Sequence, residues 1–200
     1  MSQYTPLLWR LAGAVLDPVQ LAGLHTLTNA PTLDYSALVA FDLALGGPSM
    51  ERLTCNSRGR FTIKDRDLFR SLQYCYVGFY TGSKNGTLEN HTRTIVQMSS
   101  LHLEYLVKRI AWMPRATMGA ALHNPLSRVR IGQPIWQHLI DFLPVYNSAK
   151  HDMSQPKDTH FFSVEEAVLA YIISRRLAQQ LYRYARLTTD LQIYDQPCPR

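Results

Sequence analysis

Apolar residues along this 200-residue chain recur at three- and four-residue steps, and no stretch sustains the alternation that a half-buried strand needs. That period constrains the chain to helices. From Asp65 to about Tyr80, Leu68, Leu72, Tyr76 and Phe79 form one buried stripe, with Gly82 expected to close the helix. The segment from Asn90 to Met113 predicts the longest helix. It turns Ile95, Met98, His102, Leu106, Ile110 and Met113 inward, holds Glu104 and Lys108 outward as an i, i+4 pair, and stops at Pro114. A further helix is predicted from about Pro134 towards His151, with Ile135, Leu139, Phe142 and Tyr146 facing in and a kink at Pro144. Ser163-Val164-Glu165-Glu166 reads as a capping box that opens a last helix reaching about Leu187.

The flanking segments are shorter. Pro6 to Leu27 has helical spacing broken at Asp17-Pro18, and Tyr35 to Leu45 reads as a short helix ended by Gly46-Gly47-Pro48. Ser49 to Arg60 reads as loop, and Phe61-Thr62-Ile63 is the one weak strand-like triplet. Pro114 to Pro134 is a Pro- and Gly-punctuated excursion with one helical turn around Thr117 to Leu122. These elements predict an all-α, up-and-down helical bundle with additional N-terminal helices. Residues 1–89 form the N-terminal helices packed on the core, 90–187 the bundle itself, and 188–200 a C-terminal tail.

Composition narrows the class. With 46% hydrophobic and 18% charged residues the chain has the make-up of a globular protein rather than a disordered one. No apolar run approaches membrane-spanning length, and Leu11 to Leu16 ends at Asp17-Pro18 without a basic leader, so a cytoplasmic protein without a membrane partner is expected. Cys55, Cys75 and Cys198 are odd in number and widely spaced, which points to reduced thiols. Asn85-Gly86-Thr87 and Asn90-His91-Thr92 then read as polar turn sequence rather than glycosylation sites. The formal charge of +6 permits a polyanion as partner, but the cations are spread along the chain and favour a solvated surface over a dense basic arm.

One segment carries chemistry. On a helix, Asn147, Lys150 and His151 stand at i, i+3 and i+4 and share a face at the C-terminal end, where the helix dipole favours a cation. Together they offer an amide, a fixed positive charge and an imidazole, a set that suits a phosphate group. The competing reading makes the same residues a C-terminal cap, with Lys150 and His151 answering free carbonyls. Neither His151, Asp152 and His160 as metal ligands nor Ser148 beside His151 as a nucleophile has a supporting pattern, so no metal and no cofactor are expected. His102, on an apolar stripe, reads as a hydrogen-bonded core histidine.

The helix ending in Asn147-Ser148-Ala149-Lys150-His151-Asp152, the short loop after it and the helix of Ser163 to Tyr184 resemble the C-terminal half of HEPN-superfamily domains. Leu103-Glu104-Tyr105-Leu106-Val107-Lys108 is similar to the preceding amphipathic helix of those bundles, and the likeness covers about Asn90 to Leu187. The resemblance implies a four-helix bundle that often forms a homodimer. In its active members a histidine motif shared between two protomers cuts RNA without a metal. His151 matches the family's histidine and Asn147 its polar companion, while the family's arginine has no counterpart here and Lys150 is the nearby cation. Lysine lacks the planar fork that grips phosphate oxygens. The expectation is therefore a non-catalytic binding or interaction module with RNA as ligand. The alternative is a metal-independent ribonuclease of the defence or toxin type, with His151 as acid/base, Lys150 on phosphate charge and Asn147 positioning.

Overall fold

The computed structural model describes residues 3–47, 49, 63–150, 160–182 and 184, the side chains of 63–68 excepted. Among the described residues every regular element is helical. The order is α1 (Thr5–Val15), α2 (Pro18–Thr28), α3 (Tyr35–Ala44), α4 (Ile63–Asn85), a 3-10 turn (Leu88–His91), α5 (Thr92–Ala111), α6 (Met118–Leu122), α7 (Pro125–Ile131), α8 (Ile135–Lys150) and α9 (Val164–Leu181). No helix of the described residues is long and apolar enough to cross a membrane.

Local chemistry sets the boundaries. Asp17 accepts from the Gln20 N–H while the Gln20 side chain returns to the Asp17 N–H, a reciprocal cap that turns the Asp17-Pro18 break into the start of α2. Asp34 caps α3 from one side only, accepting from the N–H groups of Ser36 and Ala37. Ser163 and Glu166 form the capping box read from the sequence, and α9 follows it.

α5 is the axis of the packing. It runs most extensively against α9 and α4, while α1 lies along α9 and α8 packs on α5. The inward stripe expected for α5 is too narrow. Val96, Ser99, Ser100, Leu103, Glu104 and Val107 are buried as well, so α5 is covered on nearly all sides. α9 is buried from Glu166 through Arg175 without a break. Leu8, Leu24, Leu38, Phe69, Leu103, Phe142 and Ile173 belong to one continuous core.

Three elements differ from expectation, the first being α9, which ends at Leu181 rather than near Leu187. α4 does not end near Tyr80 but continues to Asn85, and Gly86, at φ +66°, ends it. Gly82 is there for packing: a Cβ on it would lie 2.7 Å from the Leu88 Cα, so only glycine lets the 3-10 turn fold back onto α4. α7 went unread within the 114–134 excursion. Asn124 caps it by accepting from the Leu126 N–H, and Pro125 occupies its first turn. α6 falls where one helical turn was expected, capped by Thr117. The loop expected at 49–60 lies outside the described residues apart from Ser49, and of the strand-like triplet only Ile63 is described, in helix.

A buried ionic network ties α3 to α9. Arg175 Nε donates to Asp42 Oδ1 at 2.7 Å, Tyr171 donates to the same oxygen at 3.0 Å, and Arg175 also reaches the Gly46 carbonyl at 2.6 Å. Neither Asp42 nor Arg175 is accessible to solvent.

Candidate functional site

α8 carries two of the three expected site residues in its last turn. Asn147 and Lys150 are exposed on one face, with Ser148 and Ala149 buried between them. His151 lies outside the described residues, as do Asp152 and Asp158. The end of α8 is held by a residue that sequence reasoning passed over. Arg93 of α5 donates to the Ser148 carbonyl at 2.9 Å and to the His160 carbonyl at 3.5 Å, so one guanidinium spans both sides of the 151–159 segment.

Lys150 points to a buried carboxylate. Its Nζ stands 3.5 Å from Glu104 Oε2 and 5.2 Å from the centroid of the Tyr146 ring, one turn back on α8. Glu104 was expected to face out with Lys108. The Lys108 pair forms, at 3.3 Å, but Glu104 is only 7% exposed because α8 covers it, and the Tyr146 hydroxyl donates to its Oε2. Burial, followed by this hydrogen bond and the Glu104 charge, pushes the Tyr146 phenol up, so it remains a donor. Two ammonium groups and a phenol therefore converge on one carboxylate, joining α5 to α8.

Beside this cluster opens a cleft of about 410 Å³ between α4 and α5. Tyr105, Met98 and Leu101 from α5 and Tyr74 and Ser71 from α4 line it, together with Pro114 beyond α5. Arg70, Lys108 and Arg109 supply cations against Glu104 as the one acid. Arg109 donates to the Tyr105 hydroxyl at 3.3 Å and has no ion pair with a carboxylate among the described residues. The volume is within the roughly 300–1,000 Å³ range of small-ligand sites.

The basic character continues past the cleft. Between Glu104 and Asp141 the chain contains no Asp or Glu, yet it carries Lys108, Arg109, Arg115, Arg128 and Arg130. Trp112 ends α5 in the left-handed region at φ 58° and is 70% exposed. Arg130 lies over its ring at 3.9 Å from the centroid, and Arg128 lies 5.0 Å from the centroid of Trp136.

Two further histidines are packed into the protein. His102 is fully buried with its ring 5.9 Å from that of Phe69. His160 Nε2 is 3.1 Å from Glu166 Oε2, with its ring packed edge-on to Tyr4 and Phe162. Glu166 also accepts from the backbone N–H groups of Tyr4 and Ser163, so His160 is enclosed in the cap of α9. No group of three or more metal-ligating side chains occurs among the described residues.

Comparison with protein-family models, with curated proteins and with solved structures finds no match in any of the three. What the site can do therefore follows from its own chemistry. It presents cations and tyrosine rings to a cleft whose single acid is already engaged by Lys108, Lys150 and Tyr146, an arrangement suited to binding an anion with flat, apolar parts.

Proposed function

We propose that this chain is a non-catalytic, HEPN-like helical module that binds RNA at the cleft beside Glu104 and at the adjoining end of α8. The observation that carries the reading is the pairing of Arg70, Lys108 and Arg109 with Tyr74 and Tyr105 around one cleft. Phosphates need cations and bases offer faces for aromatic rings, and this cleft brings both together. Lys150, 3.5 Å from Glu104, adds a cation beside the cleft from α8, and Asn147 is exposed one turn before it.

The non-catalytic form is favoured over the ribonuclease alternative because no arginine stands between Arg130 and His151, and Lys150, the nearby cation, lacks the planar fork that grips phosphate oxygens. The test is incubation of the pure protein with a labelled 20-nucleotide RNA, read by both anisotropy and a denaturing gel, with and without chelator. Binding without cleavage, unaltered by His151→Ala, is the expected result. Cleavage that survives chelator and disappears in His151→Ala would replace this reading with the nuclease.

A further inference from the structure

The cleft and Trp112 belong to one surface. Met113 donates its N–H to the Lys108 carbonyl and Trp112 its N–H to the Arg109 carbonyl, so the turn that leaves α5 folds back beside two of the cleft's cations. Pro114, two residues beyond Trp112, lines the cleft itself. From there Arg130 donates to the Ile110 carbonyl at 3.0 Å and lies over the Trp112 ring. A track along the end of α5 thus joins Tyr105, Lys108 and Arg109 of the cleft to Trp112 and Arg130, with no acid contributed by residues 105–140.

Trp112 is costly where it stands. A helix C-terminus that needs a positive φ is ordinarily filled by glycine, and a large exposed aromatic there gains little from burial. Its ring is instead pinned by Arg130 and presented to solvent. That is the form of a stacking platform.

We infer that the ligand is single-stranded RNA, with one unpaired base entering the cleft between α4 and α5 and a neighbouring nucleotide stacking on Trp112; this rests on the RNA reading above and names the form of RNA it takes. A duplex keeps its bases paired and stacked, and shows proteins mainly its phosphates and 2′-hydroxyls. It could use the cations but neither the interior of the cleft nor the Trp112 face. A small isolated anion would need the cleft alone and would leave the acid-free track to Arg130 without a role. A flexible strand uses all of it: bases on the rings, phosphates on Lys108, Arg109 and Arg130.

The experiment compares one fluorescein-labelled 20-nucleotide RNA with the same strand annealed to its complement, by anisotropy across a salt series. The proteins are the wild type, Tyr74→Ala and Trp112→Gly. The duplex is expected to bind at least tenfold more weakly than the single strand. Each substitution is expected to weaken single-strand binding by roughly five- to a hundredfold, the range of one lost base–aromatic stack. The slope of log affinity against log salt is expected to stay the same, because no phosphate contact is lost. Tyr74→Phe and Trp112→Phe retain a ring and should recover most of the affinity, which separates lost stacking from lost folding. Equal binding of both RNA forms, or single-strand binding indifferent to Tyr74→Ala and Trp112→Gly, overturns this inference and leaves the RNA reading standing. Failure of both RNA forms to bind at low salt overturns the RNA reading, and the inference falls with it.

Discussion

Replacing Asp42 with asparagine perturbs the one ion pair that is wholly buried among the described residues. Arg175 Nε lies 2.7 Å from Asp42 Oδ1, and both side chains are inaccessible to solvent. Asparagine fills the same volume and still accepts from Tyr171, so no cavity opens and the change isolates the charge. What remains is a guanidinium buried among the carbonyls of Asp42 and Gly46 without its counter-ion. Breaking a buried pair from one side costs about 3–5 kcal/mol. At about 2–4 °C per kcal/mol for a chain of this size, the midpoint of thermal unfolding should fall by about 6–20 °C. Urea unfolding followed by helix ellipticity gives the free energy directly. The double variant Asp42→Leu with Arg175→Met removes both charges, and most of the loss should be recovered, since a well-packed apolar pair replaces an ionic one at little cost. An Asp42→Asn protein less than about 1 kcal/mol below wild type would refute the reasoning. So would a double variant no better than the single one.

Two further outcomes follow from the same structure. Trp112→Gly removes a left-handed non-glycine residue, a relief of about 1–2 kcal/mol, and loses an exposed cation–π contact of about 0.5–1 kcal/mol. Its melting midpoint should therefore equal or slightly exceed wild type, and a clear drop would show that Trp112 is a structural residue. Burial pushes the Tyr171 phenol and the Cys75 thiol well up from their ordinary values of 10.0 and 9.0. Below about pH 7.5 both groups are protonated in the folded and unfolded states and their contribution is complete. At higher pH the unfolded chain releases protons that the folded one keeps, so stability falls with rising pH. Urea titrations from pH 7 to 10.5 should show this decline, with a shallower slope in Tyr171→Phe, and an unchanged slope in that variant would count against the assignment.

The helices were legible where caps and stripes agreed. The capping box at Ser163-Glu166 marks a start that the structure keeps, and the break read at Asp17-Pro18 becomes another, because a capping side chain answers local N–H groups and needs no tertiary partner. Gly82 misled for the opposite reason. Its role is a close approach to Leu88, which depends on how the chain folds back. Glu104 was legible as the partner of Lys108, but not as a buried group, since its burial comes from α8. Asn147 and Lys150 were found from helical spacing, and both are exposed where expected. The cleft was not readable, because Arg70 and Tyr74 are brought to Lys108 and Arg109 only when α4 packs on α5. The Arg130–Trp112 contact likewise joins residues that no local pattern connects.

The claim that the cleft's cations hold RNA phosphates is tested most directly by the salt dependence of binding in the combined variant Arg70→Gln, Lys108→Gln, Arg109→Gln. For single strands each neutralised phosphate contributes about −0.7 to the slope of log affinity against log salt. The triple variant should bind more weakly at 100 mM salt, with a slope shallower than wild type by about 2. Arg10→Gln, which alters a surface cation paired with Asp141, should leave the slope unchanged. A triple variant whose affinity and slope match those of the wild type would contradict the account.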